Sequence, residues 1–206
     1  MARVPELTAE DLPEEYREDF KRLGANFAAF SNQVPVYAHS PVGMKYIFDM
    51  SMALSKTGNL SRRLIEIAVV AASHANRCAY CVAHHSTILV ELGLDTDSVS
   101  ALDNQEAPGL NEEERLVRDY AICMTERAWG IRDAMFDKLR LHFSNNQIVE
   151  LTMRIALTGM FNKVNQALAI ELEEGFMAEF MACGLSESSL DRKSTRLNSS
   201  HTSISY

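Results

Sequence analysis

Positive charge is scarce in this sequence. Twenty Lys and Arg stand against 28 Asp and Glu, a formal net charge of −8, so no basic field gathers nucleic-acid phosphates or an anionic membrane surface. Long apolar runs are also missing. The most hydrophobic stretch, Leu64 to Ala72, is interrupted by Glu66 and is too short to cross a bilayer. Met1 to Glu15 is acidic and lacks the basic start and apolar middle of a signal peptide, so cytoplasm is the expected compartment. Sustained alternation of apolar and polar residues, the mark of a half-buried strand, is absent. Cysteine is sparse: Cys78 and Cys81 stand three apart, while Cys123 and Cys183 are scattered. That is no secreted disulfide framework, and in a reducing compartment a close pair reads as redox or metal chemistry.

What is present is helical spacing, in a chain of 206 residues that is 47% hydrophobic and fits one domain. The spacing predicts a helix over Pro13 to Ser31, a connector between Pro35 and Pro41, and a second helix from Pro41 to about Lys56. Ser61 is placed to cap a helix carrying Leu64, Ile65, Ala68, Val69 and Ala72. Asn76 offers a break, and the next helix holds Cys78, Cys81 and His85 and ends at Gly93. A short helix over Asp95 to Leu102, a loop over Gln105 to Gly109, and helices over Glu112 to Arg127 and Asp133 to His142 follow. A last long helix runs from Asn145 to near Glu174. On it Asn162 and Asn165 fall on otherwise apolar rows, so their amides need partners: an inter-helix hydrogen bond, or a place in a pocket wall. The stretch Arg192 to Tyr206 holds seven Ser or Thr and no helical period. It looks like translated sequencing-adapter read-through, and 191–206 is set aside as a non-native tail.

The chemistry gathers at Cys78-Ala-Tyr-Cys81. Three residues on a helix turn the chain by about 60° short of a full turn, so the two sulfurs share a face. A helix start favours the thiolate, which is the reactive form. His85, four residues after Cys81, lies on the same face and can take or give a proton. Glu66, one helix earlier among Leu64, Ile65, Ile67 and Ala68, is a candidate proton acceptor. A zinc site on Cys78, Cys81 and His85, with His74, His84 or Glu66 as fourth ligand, is the rival reading, and two inert buried thiols the plainer one. His84 is expected to be exposed or packed locally, contact with the site being the alternative. Cys123 is expected in the core.

The order Glu66, Cys78, Tyr80, Cys81, His85 resembles the AhpD-like alkylhydroperoxidases, the CxxC-containing subgroup of the carboxymuconolactone decarboxylase family. LSRRLIEIAVVAASHANRCAYCVAHHSTILVELGL is similar to that family's core helix pair, and the resemblance extends over residues 35–175. The chain then divides into an N-terminal helical extension (1–34), the AhpD-like domain (35–175), a C-terminal segment (176–190) and the tail. The resemblance implies an all-α, AhpD-like helical fold assembled as a homo-oligomer, a trimer or hexamer. It implies a hydroperoxide substrate, a dithiol reductant protein or small thiol, and no cofactor or metal. In it Cys81 is peroxidatic, Cys78 resolving and reductant-facing, and Glu66 and His85 the proton relay; Cys81, with both to accept its proton, is then expected to ionise first, and Cys78, nearer the helix start, to be the more exposed sulfur. The best-known members carry a second His where this chain has Tyr80, leaving Tyr80 and His84 as accessory candidates. A lactone decarboxylase-like enzyme, or a redox-sensing or zinc-binding module without turnover, are the alternatives. Apolar residues on several faces of the motif helix (Val82, Ile88, Leu89, Val90, Leu92) are the sequence's own argument for an oligomer.

Overall fold

The computed structural model describes residues 2–104, 107–187 and 190. Among these there is no strand, and the chain forms ten α-helices with short 3-10 turns between them. They are α1 (Glu14–Asn26), α2 (Gln33–Tyr37), α3 (Pro41–Ser55), α4 (Arg62–Ala75), α5 (Ala79–Glu91), α6 (Thr96–Ser100), α7 (Glu112–Arg127), α8 (Asp133–His142), α9 (Asn145–Leu168) and α10 (Phe176–Ala182). The local chemistry sets the boundaries. Pro41 occupies the first turn of α3, where a missing N–H costs nothing. Ser61 caps α4 through the Leu64 amide. Asn111 with Glu114, and Ser144 with Gln147, form reciprocal capping boxes at α7 and α9.

Helix α4 is the axis of the molecule. Ile67, Val70, Ala71 and Ala72 are fully enclosed, and α4 packs against α5, α7 and α9. The small alanines let these helices approach closely. A second apolar cluster lies beside the first, where α1, α2 and α3 close over the start of α5. Leu23, Met44 and Phe48 have no exposed surface there, and the cluster takes in Cys78, Tyr80 and Cys81.

Four sequence expectations change. The helix over Pro13 to Ser31 ends at Asn26 and continues as a 3-10 turn over Ala28–Phe30. The connector from Pro35 contains α2, with Pro35 in its first turn. The last long helix stops at Leu168, not near Glu174, because Ala169 adopts a left-handed conformation (φ 51°) and Ile170 N–H returns to Asn165 O. The segment after it turns back toward α5, and α10 follows. At the motif, Asn76 ends α4, Arg77 takes φ 58°, and Cys78 is the N-cap of α5 rather than a residue within it. Arg77 and Ala169 are the non-glycine residues at positive φ among those described. Each conformation costs roughly 1–2 kcal/mol, and both flank the cysteine site. The tail 191–206 lies outside the described residues.

Val82 and Leu89 of the motif helix are buried within a single copy, and Ile88, Val90 and Leu92 are half-buried. They therefore do not call for a partner. The large apolar side chains left exposed are elsewhere, among them Val42 and Tyr46 on α3 and Val149 and Met153 on α9. No helix among the described residues is long and apolar enough to cross a membrane.

Candidate active site

The turn between α4 and α5 places Cys78 and Cys81 side by side, both as free thiols. Cys78 is 1% exposed and Cys81 4%. The expectation that Cys78 is the more exposed sulfur is therefore corrected. As the N-cap it sits under the α4–α5 turn, with its N–H bonded to Ser73 O at 2.9 Å, and the aromatic cluster of α2 and α3 covers the pair. Cys81, not Cys78, opens on a cavity of about 430 Å³. Phe27, Phe30, Phe48 and Phe161 form much of its wall, and Glu66 and His85 stand at its polar side with Cys81.

Glu66 and His85 meet across α4 and α5. His85 Nδ1 lies 2.6 Å from Glu66 Oε2, and Arg62 approaches the other carboxylate oxygen at 3.9 Å. With Nδ1 engaged, Nε2 of His85 is the nitrogen left to exchange a proton with a sulfur or a substrate. Glu66 is buried while the His85 side chain is 24% exposed. The carboxylate thus fixes the ring from behind while the ring faces the cavity.

The two thiols are joined by a hydrogen bond. Cys78 is held below the ordinary thiol range, chiefly by the hydrogen bond it accepts from the Cys81 thiol, against the upward pull of burial. Cys81 is pushed far up, because its proton makes that bond and because it is buried. When the pair loses a proton, Cys78 is therefore the sulfur favoured to carry the charge. This differs from the expectation that Cys81 ionises first. Asn165 Nδ2 donates to Cys81 Sγ at 3.4 Å, and its Oδ1 accepts from Tyr37 O–H at 3.2 Å. Burial raises the Tyr37 phenol far above its usual value, so it stays a donor and keeps the amide N–H groups turned to the sulfur. Asn162 joins helices: Nδ2 donates to Ser73 Oγ and Oδ1 accepts from Asn76 Nδ2. Both amides on the apolar rows join helices and both also reach the cysteine pair, Asn165 at Cys81 and Asn162 at both sulfurs.

His84 is neither exposed nor in the cavity wall. It is 2% exposed, packed between Phe30 and Phe176 at ring separations of 4.6 and 4.0 Å, with Nε2 2.7 Å from Glu173 Oε2. Glu173 Oε1 also accepts from Tyr80 O–H at 2.7 Å and from the Asn32 N–H at 3.0 Å. Burial and the adjoining Glu173 carboxylate push the Tyr80 phenol far up, so Tyr80 is a donor committed to Glu173. Sequence reasoning does not single out Glu173. It lies in an acidic run just past a helix end, a setting typical of solvated surface. The zinc alternative finds no support in the arrangement: among the described residues no group of three His, Cys, Asp or Glu stands close enough to hold a metal ion.

A model of the carboxymuconolactone decarboxylase family matches residues 41–122, which span Glu66, Cys78, Cys81 and His85. Over this segment the chain is similar to that family. A solved structure described as an alkylhydroperoxidase AhpD core, a peroxidase-related protein from Ralstonia eutropha JMP134, superposes with a TM-score of 0.74. It is 24% identical and covers 85% of this chain and 94% of its own. The debrominase Bmp8, solved as a cysteine-to-alanine variant in complex with 2,3,4-tribromopyrrole, superposes with a TM-score of 0.71 at 20% identity, over 87% of this chain and 96% of its own. The uncharacterised protein YdfG of Bacillus subtilis (strain 168) is 24% identical over 67% of this chain and 95% of its length. The fold is thus AhpD-like. The carboxymuconolactone decarboxylase match begins at Pro41 and ends at Ile122, so Phe27, Phe30, Asn165 and Glu173 lie outside the matched core. The matched segment supplies the sulfurs and the dyad, and the flanking segments supply much of the cavity wall.

Proposed function

We propose that this chain is a thiol-dependent hydroperoxide reductase. The observation that carries the reading is that Cys81 alone of the pair opens on the apolar cavity, beside the His85–Glu66 dyad. His85 takes the Cys81 proton, and the Cys81 thiolate attacks one peroxide oxygen. The S–O bond forms as the O–O bond breaks, and the departing alkoxide takes a proton from His85 and leaves as an alcohol. Cys78, the sulfur favoured to carry charge, then attacks the Cys81 sulfenic acid. The S–S bond forms, the S–O bond breaks, and the hydroxide leaves as water with one proton. A dithiol protein or small thiol supplies the two electrons that restore the pair, and it reaches the disulfide from the Cys81 side. The four phenylalanines suit a hydroperoxide with an apolar or aromatic body. We place the reaction in the cytoplasm, where such a pair is kept reduced. We also read the exposed Val42, Tyr46, Val149 and Met153 as belonging to a homo-oligomer interface.

One observation favours a second reading, reductive removal of bromine from an aromatic ring. The same cavity walls are aromatic, and the debrominase Bmp8 shares the fold. Dimedone trapping with peptide mass analysis tests the first. After one equivalent of cumene hydroperoxide, wild-type protein forms a Cys78–Cys81 disulfide. Cys78→Ser traps label at Cys81, and Cys81→Ser traps none. Absence of both disulfide and label ends the peroxidase reading, and bromide release from a bromopyrrole is then the assay for the second.

A further inference from the structure

We infer that Glu173 is a positioning residue for substrate, holding the Phe27–Gln33 wall of the cavity against the cysteine helix; this rests on the hydroperoxide reading of the same cavity. Three groups from two segments converge on its carboxylate. From α5 come Tyr80 O–H and His84 Nε2, each at 2.7 Å; from the wall comes the Asn32 N–H at 3.0 Å. A second bond ties the same two segments, from Asn32 Nδ2 to Glu171 O at 3.0 Å. The fold takes trouble to bring Glu173 there. Helix α9 is broken by a left-handed Ala169, and the chain turns again at Gly175 (φ 81°), so that residues 170–175 run back to α5.

What the carboxylate holds is the ring of Phe30. Phe30 contacts His84 at 4.6 Å, His85 at 5.5 Å and Tyr80 at 6.4 Å between ring centres, and it lines the cavity. The segment that carries it is a single 3-10 turn with no buried residue of its own. Its place over α5 therefore depends on the contacts its ring makes and on the two bonds at Asn32. Buried donors left without an acceptor are costly, so without the Glu173 carboxylate the Asn32 N–H and Tyr80 O–H turn to water and the wall loosens. Glu173 does not line the cavity and touches neither sulfur. Its loss weakens the grip on a bulky apolar substrate while leaving the sulfur chemistry in place.

The test compares peroxides of different bulk. Glu173→Ala is expected to raise KM for cumene hydroperoxide about tenfold with kcat little changed, a loss in binding of about 1.4 kcal/mol. Its kcat/KM for hydrogen peroxide, which needs no apolar wall, is expected to stay within about twofold. Glu173→Gln keeps an acceptor for Asn32 and Tyr80 and is expected to recover most of the loss. Glu173→Asp, which keeps the charge but draws it back from its donors, is expected to fall between and serves if the alanine variant does not fold. Equal losses on both peroxides, a glutamine variant as impaired as alanine, or an unchanged KM would each overturn the inference. Cumyl alcohol binding by calorimetry separates it from the peroxidase reading. If the wild type turns over neither peroxide, that reading fails, while a roughly tenfold weaker affinity in Glu173→Ala still supports the role of Glu173 and an unchanged affinity removes it.

Discussion

His84 and His85 are neighbours on one helix, and each holds a carboxylate at nearly the same distance, 2.7 Å to Glu173 and 2.6 Å to Glu66. Successive helix residues point about 100° apart, and that rotation decides their fates. His85 swings to the α4 side, where Glu66 anchors Nδ1 and the cavity leaves part of the ring open. His84 swings under Phe30 and Phe176 and is sealed at 2% exposure. An imidazole–carboxylate pair is thus not a mark of catalysis in itself. Access for a reacting atom makes one pair a candidate relay, and enclosure makes the other a clamp.

The sharpest way to break this comparison is to delete each ring. His85→Ala is expected to slow Cys81 oxidation by ~10²–10⁴-fold, the usual worth of general acid–base help. Little stability is lost, since that ring is partly solvated. Glu66→Gln leaves the ring in place and is expected at the low end, ~10²-fold. His84→Ala empties a packed site and strips Glu173 of a partner, and is expected to cost about 2–4 kcal/mol of stability. Its effect on the oxidation rate stays under ~10-fold. Stopped-flow oxidation and urea unfolding on the same preparations read both quantities. A His84→Ala rate loss as large as that of His85→Ala, in protein that still folds, would place both histidines in the chemistry.

The His85–Glu66 half of the comparison is legible in the sequence and the His84–Glu173 half is not. Glu66 stands out as a charge among apolar residues on α4, and helical spacing alone aligns Cys81 with His85, so local periodicity reaches that half of the site. Glu173 arrives through a chain reversal that depends on a left-handed alanine, and alanine carries no sequence signal for that conformation. His84 escapes a sequence reading for a related reason: what buries it is Phe30, more than fifty residues away, and Phe176, more than ninety. Helix α7, with its Asn111 capping box, and helix α8 lie at the expected residues. The errors fall at α1, α2, the start of α5 and the end of α9, where tertiary contacts rather than propensity set the boundary. The thiol order differs from expectation because the Cys81 thiol donates to Cys78, a contact that no spacing rule reveals.

A smaller effect is expected at Tyr80. Tyr80→Phe keeps the ring against Phe30 and His84 but removes one of the three donors to Glu173. A stability loss of about 1 kcal/mol is expected by urea unfolding, with Cys81 oxidation within about threefold of wild type. A hundredfold slower oxidation would make the phenol a proton donor to the reaction and shift Tyr80 to the His85 side of the comparison.

The smallest expected effect is a pH dependence that belongs to the sealed pair alone. Burial alone would raise the Glu173 carboxyl, but hydrogen bonds from His84, Tyr80 and Asn32 outweigh it and hold the group below the usual carboxylate range. A carboxylate whose folded-state pKa is depressed stabilises the fold in full above its unfolded value of ~4.3. That contribution is lost as pH falls through the lower folded value. Other carboxylates titrate in the same window, so the measurement is the difference in urea midpoint between wild type and Glu173→Gln from pH ~6 to ~3. Wild type is expected to be the more stable at pH ~6, with the gap narrowing steadily below pH ~4.3. Glutamine keeps the shape but not the charge, so a gap that stays constant across the range would mean that the clamp works through acceptor geometry alone. A gap that widens on acidification would reverse the sign of the shift and mean that the carboxyl is held protonated in the fold.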